Sequence, residues 1–217
     1  MIVGFDNDAA DIFDAHRRFI AEARIVNPLI NVLIAIPGTP LFARLQKAAR
    51  IDPSAELPYG TNIIPLKMTR EELQQGCLAL ARDLYESSAY FGRLDALYLD
   101  DRLEAEPARK RYLARHRWRW FKANTISLIQ AGAILLGLLL WVPEPALSRE
   151  YRRRMWQALR RRHDPFMLRI YALKCAIHYH MHVMLRQPGE SCRRAGQPDL
   201  ATAAEMRPPA EFASRSA

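Results

Sequence analysis

Cysteine is scarce in this chain. The three present, Cys77, Cys175 and Cys192, are odd in number and far apart, which excludes a disulfide framework and a CxxC metal knuckle built from local spacing. A reducing compartment fits that usage. A secretory leader is not expected either, because Asp6, Asp8, Asp11 and Asp14 stand where a basic segment and an apolar one would have to lie. A cytoplasmic location follows as the expectation. No internal repeat is visible. A glycine-rich phosphate cradle is also missing, since "GFDND" offers one glycine and two carboxylates, and carboxylates repel anions. Acid is in deficit: 23 Asp and Glu against 32 Lys and Arg leave a net charge of +9. Such a surface suits nucleic acid, anionic lipid or an acidic partner, and equally a solvated Arg-rich face.

Half of the residues are hydrophobic and a quarter charged, a globular composition in a chain long enough to bury a core. Ile2 to Phe5 reads as the end of a buried strand. Asp8 or Asp11 can cap a helix with Ile12, Phe13, His16, Phe19, Ile20 and Ala23 at helical spacing. After Pro28, "LINVLIAIPGTP" is a continuous Ile- and Val-rich run, the pattern of a strand buried on both faces in a parallel sheet. Thr39 is a good N-cap with Pro40 at the first helical position. The stretch from Ile51 to Met68 carries Pro53, Pro58, Gly60 and Pro65 and reads as a long loop.

Beyond it the chain turns helical. Thr69 and Glu72 make a capping box for a helix lined by Leu73, Cys77, Leu80, Leu84 and Tyr85, ending near Ser87. Another helix covers "SAYFGRLDALYL". From Glu106 a basic helical stretch runs into an apolar one, Ile126 to Val142, that stops at Pro143. The apolar part is near the lower length limit for crossing a bilayer, so three readings stand open: a spanning helix, an interfacial helix and a buried central helix. Ser148 starts a helix with Tyr151, Met155, Trp156 and Leu159 on one stripe, and Asp164–Pro165 starts the last one, through about Arg186. Residues 187–217 read as a disordered tail.

Few residues offer chemistry on spacing alone. "HYHMH" sets His178 and His182 one helical turn apart, with His180 on the other side. Zinc needs a third protein ligand and no HExxH carboxylate accompanies the pair, so packed histidines are the preferred reading and no metal site is assigned. Trp118, Trp120 and Phe121 among Arg117, Arg119 and Lys122 resemble a nucleic-acid surface only faintly, and an amphipathic face with a basic rim is preferred. No catalytic residue is assigned.

"IVGFDND…IF…FI" followed by "IAIPGTPLFARL" resembles the late barrel strands of radical S-adenosylmethionine enzymes, in the cobalamin-binding group that includes hopanoid methylase-like proteins. "NIIPLKMTREELQQGCLALARDLYESSAYFGRL" is similar to the segment after the barrel, and the helices through "AIHYHMH" to its helical carboxy-terminal domain. The resemblance implies an α/β then all-α fold: 1–68 as the last βα units of a partial (β/α) barrel with its long loop, 69–186 as the helical domain, and 187–217 as the tail. It implies S-adenosylmethionine, a [4Fe–4S] cluster and cobalamin in the complete family, where the protein chiefly positions these groups. This chain lacks the Cys-x3-Cys-x2-Cys cluster motif, and its three separated cysteines do not replace it. The implied reading is a truncated or split methyltransferase-like enzyme, inactive alone and holding no cofactor by itself. Its first strand then lacks a neighbour, which a separate chain would supply. By carry-over, Ile2, Val3 and Gly4 match the strand near the adenosyl group, and Ile36, Pro37, Gly38 and Thr39 match the next strand end. Asp6 and Asp8 either contact ribose or cap the turn. The competing reading is a basic helical protein without catalysis at the membrane surface; a nucleic-acid partner is not favoured.

Overall fold

In the computed structural model the first apolar run becomes β1 (Ile2–Val3) and the second β2 (Asn31–Val32). They pair in parallel, Ile2 opposite Asn31 and Val3 opposite Val32. The crossover that such a pair needs is α1 (Ile12–Glu22). The structure describes residues 1–52, 60–101 and 107–186; the proposed tail with Cys192, and the middle of the long loop, lie outside them. Met1–Leu185 form one unit.

Burial of the second run on both faces is not what is found. Val3 and Val32 pack on Leu73 and Cys77, and Ala35 packs with Leu45 and Ile63. Ile2, Leu29, Ile34 and Ile36 are each at least 40% exposed. Side chains of extended backbone alternate between faces, and the described residues cover only part of that surface. The ladder itself is short. Past Val32 its role passes to side chains of the long loop: Asn62 accepts from Ala35 N at 2.9 Å and donates to Ala35 O at 2.8 Å, and Thr61 Oγ1 donates to Leu33 O at 2.5 Å.

Local capping decides most helix starts. Thr39 Oγ1 accepts from Phe42 N at 3.2 Å, and α2 (Pro40–Lys47) begins on a proline whose missing N–H is no loss there. The Thr69–Glu72 box is complete at the head of α3 (Arg70–Leu84). Glu86, an N-cap the sequence reading missed, accepts from Ser88 N and Ala89 N to start α4 (Ser87–Asp95). The single helix expected over "SAYFGRLDALYL" instead passes into a π-helical turn at Ala96–Asp100. The basic-to-apolar stretch is likewise two helices, α5 (Pro107–Arg115) and α6 (Arg117–Trp141), parted at His116, whose φ of −128° and ψ of 79° are not helical. Pro145, rather than Ser148, opens α7 (Pro145–Arg161). Asp164 Oδ1 accepts from Phe166 N at 3.0 Å to start α8 (Pro165–Arg186).

The main core gathers Leu80, Leu84, Tyr90, Phe91 and Leu94 with Tyr151, Ala158, Tyr171 and Cys175, and it also takes in Ile20 and Val26. Each fully buried large apolar side chain contributes roughly 1.5–3 kcal/mol. The buried side chains of Thr61, Arg93, Ser127 and His178 are hydrogen-bonded. Arg93 donates to Ile25 O and to Leu84 O, one of the carbonyls that the end of α3 leaves without a helical partner. Asp95 accepts from Tyr171 Oη at 2.6 Å and pairs with Arg154 at 2.5 Å, joining α4, α7 and α8. Central burial of Ile126–Val142 is not found. Ser127, Ala131 and Leu138 form a buried seam, while Leu128, Ile129, Leu136 and Leu140 are 49–69% exposed and Trp141 is 82% exposed.

Candidate functional site at the strand ends

β1 ends in a tight turn at Gly4, whose φ of +104° lies where side chains are strained. A Cβ there would also stand 3.0 Å from Leu73 Cδ2. The Asp8 carboxylate closes this turn, accepting from Gly4 N at 2.8 Å and Phe5 N at 3.0 Å, while Asp8 N donates to Phe5 O. Asp8 is therefore a turn cap. Asp11, the other candidate cap, makes no side-chain capping bond to α1. Asp6 points elsewhere: Arg50 Nη2 lies 2.8 Å and Arg44 Nη2 3.5 Å from its oxygens. Arg50 is held in turn by donating from Nε to Ile64 O at 2.9 Å.

The second strand end makes a type II turn. Ile36 O accepts from Thr39 N at 3.2 Å across Pro37 and Gly38, and Gly38 has the φ of +82° that this turn requires. Thr39 Oγ1 donates to Ile36 O at 2.7 Å, which fixes the turn to the start of α2. Against the first turn lies a cavity of about 250 Å³ whose lining includes Gly4, Phe5, Asp6, Leu33, Leu41 and Arg44.

Of the residues expected at a cofactor, Gly4 and Asp6 line this cavity. Val3 is buried beneath it against Leu73, and Ile2 is on the open surface. Ile36, Pro37, Gly38 and Thr39 are not among the cavity's lining residues; they form the turn before α2, with Ile36 64% exposed and nothing within 4 Å of a Cβ at Gly38. Arg44 and Arg50 were missed. Arg44 stands one turn beyond Pro40, on the side of α2 that meets the strand end, and that was its only signal; nothing local marks Arg50.

The residues present do not fit an iron–sulfur cluster. Cys77 and Cys175 are buried in separate parts of the core, where burial pushes both thiols upward, and cluster ligands must be thiolates. Among the described residues no three Cys, His, Asp or Glu side chains gather as metal ligands. His178 is committed elsewhere: Nδ1 is 2.8 Å from Tyr151 Oη and Nε2 is 3.1 Å from Tyr85 O. Since a carbonyl only accepts, Nε2 carries the proton and donates, and Nδ1 accepts from the tyrosine. His182 lies 3.4 Å from Glu144, and His180 faces solvent. The strand-end cavity is smaller than the roughly 300–1,000 Å³ of a complete small-molecule site.

The chain is similar to the bacteriochlorophyllide d C-12(1)-methyltransferase of Chlorobaculum tepidum, 33% identical over 94 residues, which are 43% of this chain and 21% of that protein. The matched part thus spans about a fifth of the relative's length. No solved structure matches the chain. A family model described as a domain of unknown function, DUF4070, matches residues 39–192, from the N-cap of α2 through the later helices. The chain belongs to the DUF4070 family, a domain found in cobalamin radical S-adenosylmethionine enzymes.

Proposed function

We propose that this chain is the carboxy-terminal part of a cobalamin-type radical S-adenosylmethionine enzyme of the methyltransferase-like class, inactive alone. In this reading β1 and β2 are the last strands of a partial (β/α) barrel, and strands from another segment or chain pair with the open edge of β1. The carrying observation is that two parallel strands each lead into a glycine turn, the first of which lines a cavity, in a chain whose residues 39–192 match the DUF4070 family. Ligands of α/β sheets bind outside the carboxyl ends of the strands. The Gly4 backbone, with Asp6 clamped by Arg44 and Arg50, contributes one wall of the adenosyl pocket, and Ile36–Thr39 contribute the adjoining rim. Ile2 and Val3 set the height of that wall. Support comes also from the open sheet: among the described residues β1 has a single strand neighbour, and Ile2, Ile34 and Ile36 are uncovered. The cluster and cobalamin belong to the remainder of the enzyme, because no residue described here fits them.

The test is anaerobic reconstitution with iron and sulfide, of the chain alone and together with a co-expressed segment bearing the cluster motif, followed by assay for 5′-deoxyadenosine. Cleavage of S-adenosylmethionine is expected only with both pieces, and Gly4→Val should suppress it there. Cleavage by the chain alone would refute its inactivity. Full activity of the Gly4→Val complex would refute the wall.

A further inference from the structure

The second feature that calls for an occupant is the outer face of α6, and it is independent of the strand-end site. No charged residue occurs from Ala123 to Val142. Only 17% of the most apolar part of α6 is buried. Beside it, between α6 and α7, runs a groove of about 630 Å³ with Leu128, Leu135 and Met155 on its apolar side and Arg149, Arg152 and Arg153 on its rim. Arg152 has no partner among the described residues and is exposed. Aromatic side chains stand at both ends of the helix: Trp118 is 75% and Trp141 82% exposed. Near the groove, Arg160 stacks 4.8 Å over the half-exposed ring of Trp156.

We propose that this α6–α7 face docks on an anionic lipid bilayer, with α6 lying in the plane of the interface. Its apolar outer row enters the acyl boundary, and Arg149, Arg152 and Arg153 meet lipid phosphates. Tryptophan at both ends and arginine stems reaching up beside an apolar face are what the headgroup boundary selects. A transmembrane course for α6 conflicts with its packing. Gln130, within α6, accepts from Arg169 Nη1 at 2.9 Å, and the groove ties α6 to Met155 of α7 and Leu168 of α8. Carrying α6 across a bilayer would take the arginines of α7 into hydrocarbon, where charge is strongly disfavoured. A second copy fits poorly as the occupant, because it would set one arginine rim against another on a chain of net charge +9. Anionic lipid complements both the charge and the apolar row.

The four tryptophans, Trp118, Trp120, Trp141 and Trp156, are each at least half exposed, so their emission reports docking directly. The full chain is mixed with vesicles of phosphatidylcholine alone and of phosphatidylcholine with phosphatidylglycerol, and flotation and emission are followed. Binding with a blue shift is expected on the anionic vesicles, weakening as salt is raised. Arg149→Gln with Arg152→Gln should weaken partitioning roughly 25-fold, about fivefold for each basic residue lost from the lipid surface. Leu140→Asp, at a position 69% exposed, should abolish the blue shift on the anionic vesicles while leaving circular dichroism unchanged. If that variant misfolds, Trp156→Ser makes the same test. No flotation at low salt overturns the proposal, as does binding indifferent to both sets of variants. Self-association or nucleic-acid binding abolished by Leu140→Asp, without any lipid binding, overturns it as well.

Discussion

Acid should destabilise this protein through His178, a wholly buried side chain with both ring nitrogens engaged. Burial, with a smaller push from the charge of His182, moves its pKa down to about 4 from 6.5. The rings of Tyr90, Phe91 and Tyr151 surround it. Protonation would turn Nδ1 from an acceptor into a donor facing Tyr151 Oη and place a charge among aromatic rings. The folded state therefore keeps the ring neutral where the unfolded chain takes up a proton. Below about pH 6.5 the unfolded state binds more protons, so stability falls as pH falls, and the loss is complete once pH is below the folded value near 4. At about 1.36 kcal/mol per pH unit, the drop from 6.5 to about 4 amounts to roughly 3 kcal/mol. That is a large share of the 5–15 kcal/mol typical of a folded chain. Urea unfolding followed by circular dichroism at several pH values between 7 and 4.5 measures the slope. His178→Leu removes the titrating group, so its stability should start lower but fall less steeply over that range. His16 is also held below its usual value by burial, but it is present in both proteins and cancels in the comparison. Equal slopes in wild type and His178→Leu would refute the reasoning.

Other substitutions probe single contacts. Gly76→Ala on α3 would drive a Cβ into the ring of Phe13; overpacking of about 1–3 kcal/mol outweighs a helix-propensity gain of about 1, so a lower denaturation midpoint is expected, recovered in a Phe13→Leu background. Asp8→Ala leaves the Gly4 and Phe5 amides without their acceptor and should lose about 1–2 kcal/mol, whereas Asp8→Asn, which keeps an acceptor oxygen, should recover most of it in the same urea assay. Asp95→Asn breaks a nearly buried pair with Arg154 and weakens the bond from Tyr171; about 3 kcal/mol is expected, read as a fall in the unfolding midpoint.

The features legible before folding were local. Thr39 before Pro40, Thr69 three residues before Glu72, and Asp164 before Pro165 each satisfy or remove the amides of one helical turn, so their geometry follows from neighbours in the chain. The two βα units were legible for a similar reason, since an apolar run, a glycine turn and a 3.6-residue period lie close together. The long-range contacts around the strand ends were beyond such reasoning. Arg44 and Arg50 meet Asp6, and Asn62 replaces a strand beside Ala35, only because the chain folds back across tens of residues. The break at His116 and the π-helical turn after Asp95 occur inside continuous helical patterns, where tertiary packing overrides propensity. Hydropathy left α6 open between burial, spanning and lying at an interface. Only the folded chain decided that its seam of Ser127, Ala131 and Leu138 faces inward while Ile129, Leu136 and Leu140 face out, because which side of an apolar helix is covered depends on the helices that reach it.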